Sequence, residues 1–184
     1  MIVLDAGHGG KDEGAVSDDG KLEEKEYNLA VVKEIARLLE QSGVKVYCTR
    51  TTDRTVSKKA RVRLANKRQA DMLVSVHCNA SDARKHSVRG IEVLYSKRDN
   101  GAGFTNKQLA AKLLKKTVAA TGLPARGVIR REDLYLMHHA KVPAVIVETG
   151  YLTNPSDCLY MRQEKGIRPV SYTHLRAHET KANL

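Results

Sequence analysis

Three runs of this sequence are apolar on nearly every residue rather than every second one, and each leads into a residue able to do chemistry. Residues 1–4 stop at Asp5 and pass through Gly7 to His8, residues 71–77 end in His77, and residues 143–148 end in Glu148. A strand with one wet face alternates apolar and polar side chains, whereas a continuous apolar run is buried on both faces, as in a parallel sheet covered by helices. The segments between these runs have helical spacing. Leu29, Val32, Ile35, Ala36 and Leu39 recur before Gly43, and Leu109, Leu113, Leu114 and Val118 recur before Gly122-Leu123-Pro124. A basic helix is predicted over residues 57–69 with Ser57 as its N-cap, and further strands over 44–48 and 90–95. The alternation predicts an α/β fold: a single domain built on a twisted, mostly parallel sheet with helices on both faces.

The 184 residues suffice for one core, and no internal repeat or linker divides them. The domain is predicted over residues 1–168. Asn154-Pro155-Ser156-Asp157 opens a short helix that Gly166 and Pro169 cut off, and residues 169–184 have no sustained period. Within that tail, the string from Ser171 to Thr180 is similar to translated sequencing adapter. A non-native tail and a domain shortened near residue 168 are therefore expected, and His174 and His178 receive no function.

Thirty-two Lys and Arg against twenty-one Asp and Glu leave a formal charge of +11, which implies a polyanionic partner. Nucleic acid, an anionic membrane and an acidic cell wall all qualify. The basic residues of 58–68, 107–116 and 126–131 lack interleaved aromatics, and the chain has one Phe and no Trp, so specific nucleic-acid binding is not expected. Cys48, Cys78 and Cys158 are odd in number and lack a zinc-ribbon spacing, which argues for small buried hydrophobes rather than a disulfide framework. No apolar run approaches the roughly 20 residues of a membrane span. The start is too short for a signal-peptide core, so export, if it occurs, is expected to depend on something outside this sequence. A monomer is expected.

The carboxyl ends of the strands in an open parallel sheet face one crevice, which brings His8, His77 and Glu148 together. Catalytic zinc usually takes three protein ligands and leaves a fourth position for water. His8 and His77 supply two, and the third is expected from a carboxylate at the start of the first helix. Glu23, Glu24 and Glu26 all lie there, and spacing does not choose among them. Gly7, Gly9 and Gly10 permit close backbone approach, but lack the spacing of a phosphate loop.

Four segments carry a resemblance. Val3-Leu4-Asp5-Ala6-Gly7-His8-Gly9-Gly10, Glu24-Lys25-Glu26-Tyr27-Asn28-Leu29, Ser75-Val76-His77-Cys78-Asn79-Ala80 and Val147-Glu148-Thr149-Gly150-Tyr151-Leu152-Thr153-Asn154 resemble, in order, the signature blocks of N-acetylmuramoyl-L-alanine amidases of the Amidase_3 type. Residues 49–53 and the helix holding Arg61, Ala65 and Asn66 match as well. The resemblance implies zinc ligands at His8, Glu24 and His77, a catalytic Glu148, and hydrolysis of the amide between the muramoyl lactyl group and L-alanine of peptidoglycan. It thereby selects Glu24 over its neighbours. It further implies action at the cell wall or outside the cell, where anionic wall polymers would attract the basic surface.

Asn79 is a candidate to orient a metal ligand or touch substrate. Two features depart from the family. Met137-His138-His139 stands where relatives often carry an Arg before the last strand, and, read as extended, it points its two imidazoles to opposite faces. The helix expected after Leu159 is also missing. Two other readings compete: a non-catalytic, zinc-containing module that binds cell wall or another polyanion, and a thiol enzyme using Cys78 beside His77.

Overall fold

The computed structural model describes residues 1–82, 86–98, 103–163 and 166–167; the tail expected over 169–184, with His174 and His178, lies outside them. The described strands are β1 (Ile2–Ala6), β2 (Val46–Cys48), β3 (Met72–Asn79), β4 (Ile91–Tyr95), β5 (Ala125–Arg130) and β6 (Ala144–Tyr151). The helices are α1 (Glu24–Gln41), α2 (Lys58–Arg68), α3 (Asn106–Thr121), α4 (Tyr135–His139) and α5 (Pro155–Met161). Among the described residues, six strands form one sheet in the order β2-β1-β3-β6-β4-β5. Strands β2, β1, β3 and β6 run parallel, and β4 reverses against β6 while staying parallel to β5. The mostly parallel sheet read from the sequence is present.

Alternate residues of each apolar run enter opposite cores, which is why the runs show no polar face. Ile2, Leu4, Ala6, Val74, Val76, Val145 and Val147 pack into a cluster with Val31, Ile35 and Leu39 of α1 and Leu109 and Leu113 of α3. Val3, Leu73, Ala144 and Ile146 pack on the other face with Val62 and Ala65 of α2 and Leu136 and Met137 of α4. Each fully buried aliphatic side chain contributes roughly 1.5–3 kcal/mol before the cost of ordering it.

Local signals set the helix ends. The Ser57 side chain accepts from the Ala60 amide, and Gln69 closes α2 in the left-handed region at φ 50°. A capping box of Thr105 and Gln108 opens α3, and Gly122 ends it at φ 71°.

Several details correct the sequence reading. β3 continues past His77 to Asn79, and β6 continues past Glu148 to Tyr151, so neither residue is a strand end. Thr149 and Tyr151 suit a strand, and a Glu is tolerated within one when its side chain faces a cleft. β5 escaped notice because it is an edge strand with Ala125, Arg126, Ile129 and Arg130 exposed, leaving no apolar pattern. The Met137-His138-His139 segment is helical, not extended: it lies in α4, where His139 stacks on Tyr135 one turn earlier, with centroids 3.9 Å apart. Cys78 and Cys158 are buried as expected, while Cys48 is half-buried; all three are free. No described helix is long and apolar enough to cross a membrane.

Candidate metal centre and catalytic cleft

The site begins with two buried arginines that grip the end of β1. Arg50 donates to the carbonyls of Ala6 at 3.0 Å and Gly7 at 2.8 Å. Arg61, from α2, donates to the carbonyls of Ala6 at 2.5 Å and His8 at 2.7 Å. The same guanidinium pairs with the Asp5 carboxylate at 2.6 Å, which also accepts from Thr49 and Ser75 hydroxyls at 2.6 Å each. These contacts hold His8 at φ 60°, a left-handed conformation that an unbranched non-glycine residue adopts at a cost of order 1–3 kcal/mol.

His8, Glu24 and His77 then converge, one ligand atom from each lying within 4.8 Å of the others. Glu24 Oε1 stands 3.1 Å from His8 Nε2 and 2.9 Å from His77 Nδ1. Its carboxylate also accepts from the amides of Ala15 and Cys78 at 2.8 and 3.0 Å and from Asn28 Nδ2 at 3.2 Å. Burial alone would raise the Glu24 pKa, but the hydrogen bonds from His77 and His8 override it and hold the carboxyl well below the usual range. Glu24 is buried where Glu26 is exposed and Glu23 pairs with Lys25 at 3.1 Å, so only Glu24 of the three candidates points inward.

Asp12, not among the residues expected at the site, holds His8 Nδ1 through its Oδ1 at 2.8 Å. That contact orients the ring and turns Nε2 toward Glu24, as outer-shell carboxylates do for ligand imidazoles. Burial lowers the His8 pKa, but Glu24 and Asp12 more than offset it, so the net shift is upward. No single-sequence signal marks Asp12, because its role depends on the turn that brings Gly9 and Asp12 into a backbone bridge.

The two Glu24 contacts, at 3.1 and 2.9 Å, are hydrogen-bond lengths a few tenths of an ångström short of the roughly 3.3–3.6 Å that separates ligands at about 2.0–2.2 Å from a tetrahedral ion, so a small outward movement of the two rings would admit a cation. Two imidazoles and one carboxylate also make the nitrogen and oxygen set that zinc accepts. Glycines leave room for these side chains. A Cβ on Gly7 would lie 2.3 Å from His77 Cε1, and one on Gly14, which sits at φ +70°, would lie 2.5 Å from Glu24 Oε2.

Glu148 stands opposite His77 in the β3–β6 ladder. Its Oε2 is buried without a hydrogen-bond partner. Burial pushes its pKa up to about 7, opposed by His77 and reinforced by the negative charges of Glu24 and Glu92. It lines a cleft of about 290 Å³ together with His8 and His77, the cations Lys58 and Arg131, and the apolar Leu134 and Ile146. Lys58 and Arg131 were not singled out in the sequence.

Asn79 does not bond to the metal-ligand group. A register shift follows His77, and Asn79 Nδ2 donates instead to Glu92 Oε2 at 3.3 Å and Tyr151 Oη at 3.2 Å. Glu92 lies opposite Glu148 across β4 and β6 and pairs with Arg126 at 2.6 Å.

Cys78 Sγ lies 3.6 Å from Asn28 Oδ1 and from Thr149 Oγ1. Burial, then the charge of Glu24, raises its pKa well above the ordinary thiol value. A buried, protonated thiol is a poor nucleophile, which removes the support for a thiol enzyme.

A model of the family Amidase_3, N-acetylmuramoyl-L-alanine amidase, matches residues 2–177. The chain is 36% identical over 162 residues to N-acetylmuramoyl-L-alanine amidase LytC of Bacillus subtilis, covering 88% of this chain and 31% of LytC. It is 37% identical over 158 residues to the probable cell wall amidase LytH of Staphylococcus aureus, covering 85% of this chain and 49% of LytH. It thus spans about a third of one relative and half of the other. An N-acetylmuramoyl-L-alanine amidase from Clostridium difficile 630 superposes with a TM-score of 0.91 at 30% identity, covering 99% of this chain and 96% of that one. The catalytic domain of the amidase CwlV from Bacillus (Paenibacillus) polymyxa superposes at 0.88 and 31%, covering 99% and 97%. A family match that runs through all four blocks around the site, joined to this agreement in fold, means that the chain belongs to the Amidase_3 family of N-acetylmuramoyl-L-alanine amidases.

Proposed function

We propose that the chain hydrolyses the amide bond between the N-acetylmuramoyl lactyl group and L-alanine of peptidoglycan, with zinc held by His8, Glu24 and His77 and with Glu148 as the proton carrier. The observation that carries this reading is the Glu148 oxygen, buried and unpartnered in a cleft beside three convergent donors. A purely structural carboxylate is normally satisfied by a partner, whereas a catalytic one keeps an oxygen for water or substrate.

Zinc bound there would polarise the amide carbonyl as a Lewis acid and make water more acidic. Glu148 takes the proton from the attacking water and returns it to the departing L-alanine amine, a role for which a carboxyl titrating near neutrality is suited. Asp12 fixes the His8 ring, and Asp5 with Arg61 fixes the His8 backbone. Arg131 and Lys58 place positive charge at the cleft for the carboxylates of a stem peptide. Asn79 acts one step removed, by orienting Glu92.

The alternative of a binding module with structural zinc gains no support, since a structural site is usually closed by four protein ligands. All side chains of the site come from one chain, so a monomer suffices, and the chain acts at the cell wall. Mass analysis of soluble products from purified peptidoglycan tests the reading. Free stem peptides beginning at L-alanine, lost on chelation and restored by zinc, are expected; products cut elsewhere, or release insensitive to chelation, would overturn it.

A further inference from the structure

A second hollow, of about 620 Å³, lies between α2 and the region around edge strand β2, and Arg54, Arg63, Lys67 and Arg68 line it without any Asp or Glu. Its remaining walls are Cys48, Thr49, Val56, Ala60 and Leu64. Ala60, Arg63, Leu64, Lys67 and Arg68 follow the i, i+3, i+4, i+7, i+8 pattern of one helical stripe. On α2 the opposite stripe of Arg61, Val62 and Ala65 is buried. The helix therefore has two working faces, one against the sheet and one presenting cations about one turn, ~5.4 Å, apart.

Two of the cations are held rather than free. Arg54 donates to the Thr49 carbonyl at 3.0 Å, and Arg68 lies over the Tyr47 ring at 4.1 Å. Gathering four like charges around one hollow is unfavourable unless a multivalent anion answers them. A single carboxylate of a stem peptide would not, but a linear chain of phosphodiesters would, and guanidinium forks suit phosphate oxygens. Arg68 covers one face of Tyr47, the aromatic beside the hollow, so the surface is a poor stacking platform for nucleic-acid bases. Val56 lines both this hollow and the catalytic cleft, which makes the two neighbours on one face.

We propose that the groove between α2 and the β2 edge binds a phosphodiester-linked polyol chain of the kind that accompanies peptidoglycan in a cell wall, and so holds the catalytic cleft against the wall. The choice of a wall polymer rests on the function proposed above, but binding is measurable without turnover. The test measures affinity of the full chain for poly(glycerol phosphate), across a salt series, for the parent, for Arg63→Gln/Lys67→Gln, and for Lys107→Gln/Lys115→Gln on the exposed side of α3, which removes the same charge elsewhere. Hydrolysis of peptidoglycan stripped of wall polymers is measured alongside, with thermal unfolding to confirm the fold.

Binding by the parent is expected, with a loss of about ten-fold or more in the groove variant and under about three-fold in the α3 variant. The slope of log affinity against log salt should fall by roughly 1.4–1.8 in the groove variant, from two lost phosphate contacts. Hydrolysis of stripped peptidoglycan should be unchanged in both. No binding by the parent, equal losses in the two variants, or equal affinity for single-stranded DNA of matched charge would each overturn the assignment. Failure of hydrolysis in all three proteins with binding intact would overturn the proposed reaction and leave the groove standing.

Discussion

Glu148 and His77 face each other across the β3–β6 ladder, so one parallel register sets the spacing between the proposed proton carrier and a proposed metal ligand. Glu148→Gln keeps the size and polarity of the side chain while removing its ability to carry a proton. Turnover on purified peptidoglycan should fall by ~10²- to 10⁴-fold, with metal content and unfolding midpoint near those of the parent. His77→Ala, made alongside, should lose both metal and turnover. A Glu148→Gln protein that digests peptidoglycan at the parental rate would show that another group carries the proton.

Gly7 offers a test of how tightly the site is built. A Cβ there would lie 2.3–2.6 Å from three atoms of the His77 ring, closer than such contacts allow, so the ring must move. Gly7→Ala should lower metal affinity by ~10- to 100-fold, the range seen when support for a metal ligand is disturbed. Competition with a coloured chelator reads this directly. Unaltered affinity would mean that His77 has freedom to retreat without leaving the metal.

Asp5 and Arg61 form a pair with both side chains nearly inaccessible, 1% and 7% exposed. Replacing Asp5 by Ala leaves the guanidinium buried without its counter-charge and strips Thr49 and Ser75 of their acceptor. Breaking such a pair typically costs about 3–5 kcal/mol. Urea unfolding should show a lower midpoint with little change in slope. Since Arg61 also holds the His8 carbonyl, metal affinity should fall with stability. A loss below about 1 kcal/mol would mean that water replaces the carboxylate in the folded state.

The apolar runs made the sheet and its two covered faces legible, because burial on both sides erases the alternation a one-sided strand would show. His8, His77 and Glu148 stood out because each interrupts or follows such a run. Glu24 was not separable from Glu23 and Glu26 by spacing; its selection came from resemblance, and the fold supplies the reason, a helix start that turns only this carboxylate inward. Arg61 and Arg50 lay within matched stretches, but nothing local tells a buried arginine that grips carbonyls from a surface one. Asp12 depends on a four-residue turn, and α4 on packing of Leu136 and Met137, so neither leaves a period to read. Strand ends were misplaced at Glu148 because a charged residue looks like a boundary until the cleft that receives it is known.

Cys78 separates a metal-centred mechanism from a thiol-centred one. It follows His77 directly, yet its sulfur faces the opposite side, toward Asn28 and Thr149 in the core. Its pKa lies well above the ordinary thiol value, through burial and then Glu24, so thiolate is scarce near neutral pH. Cys78→Ala removes only the sulfur and should cost about 1 kcal/mol of stability. Turnover should stay within about three-fold of the parent, and iodoacetamide should leave the native enzyme active under conditions where chelation silences it. If Cys78→Ala kept its metal and its fold but lost all turnover, the nucleophile would have to be the sulfur, and the inward-facing geometry of the folded chain would have to open before each reaction.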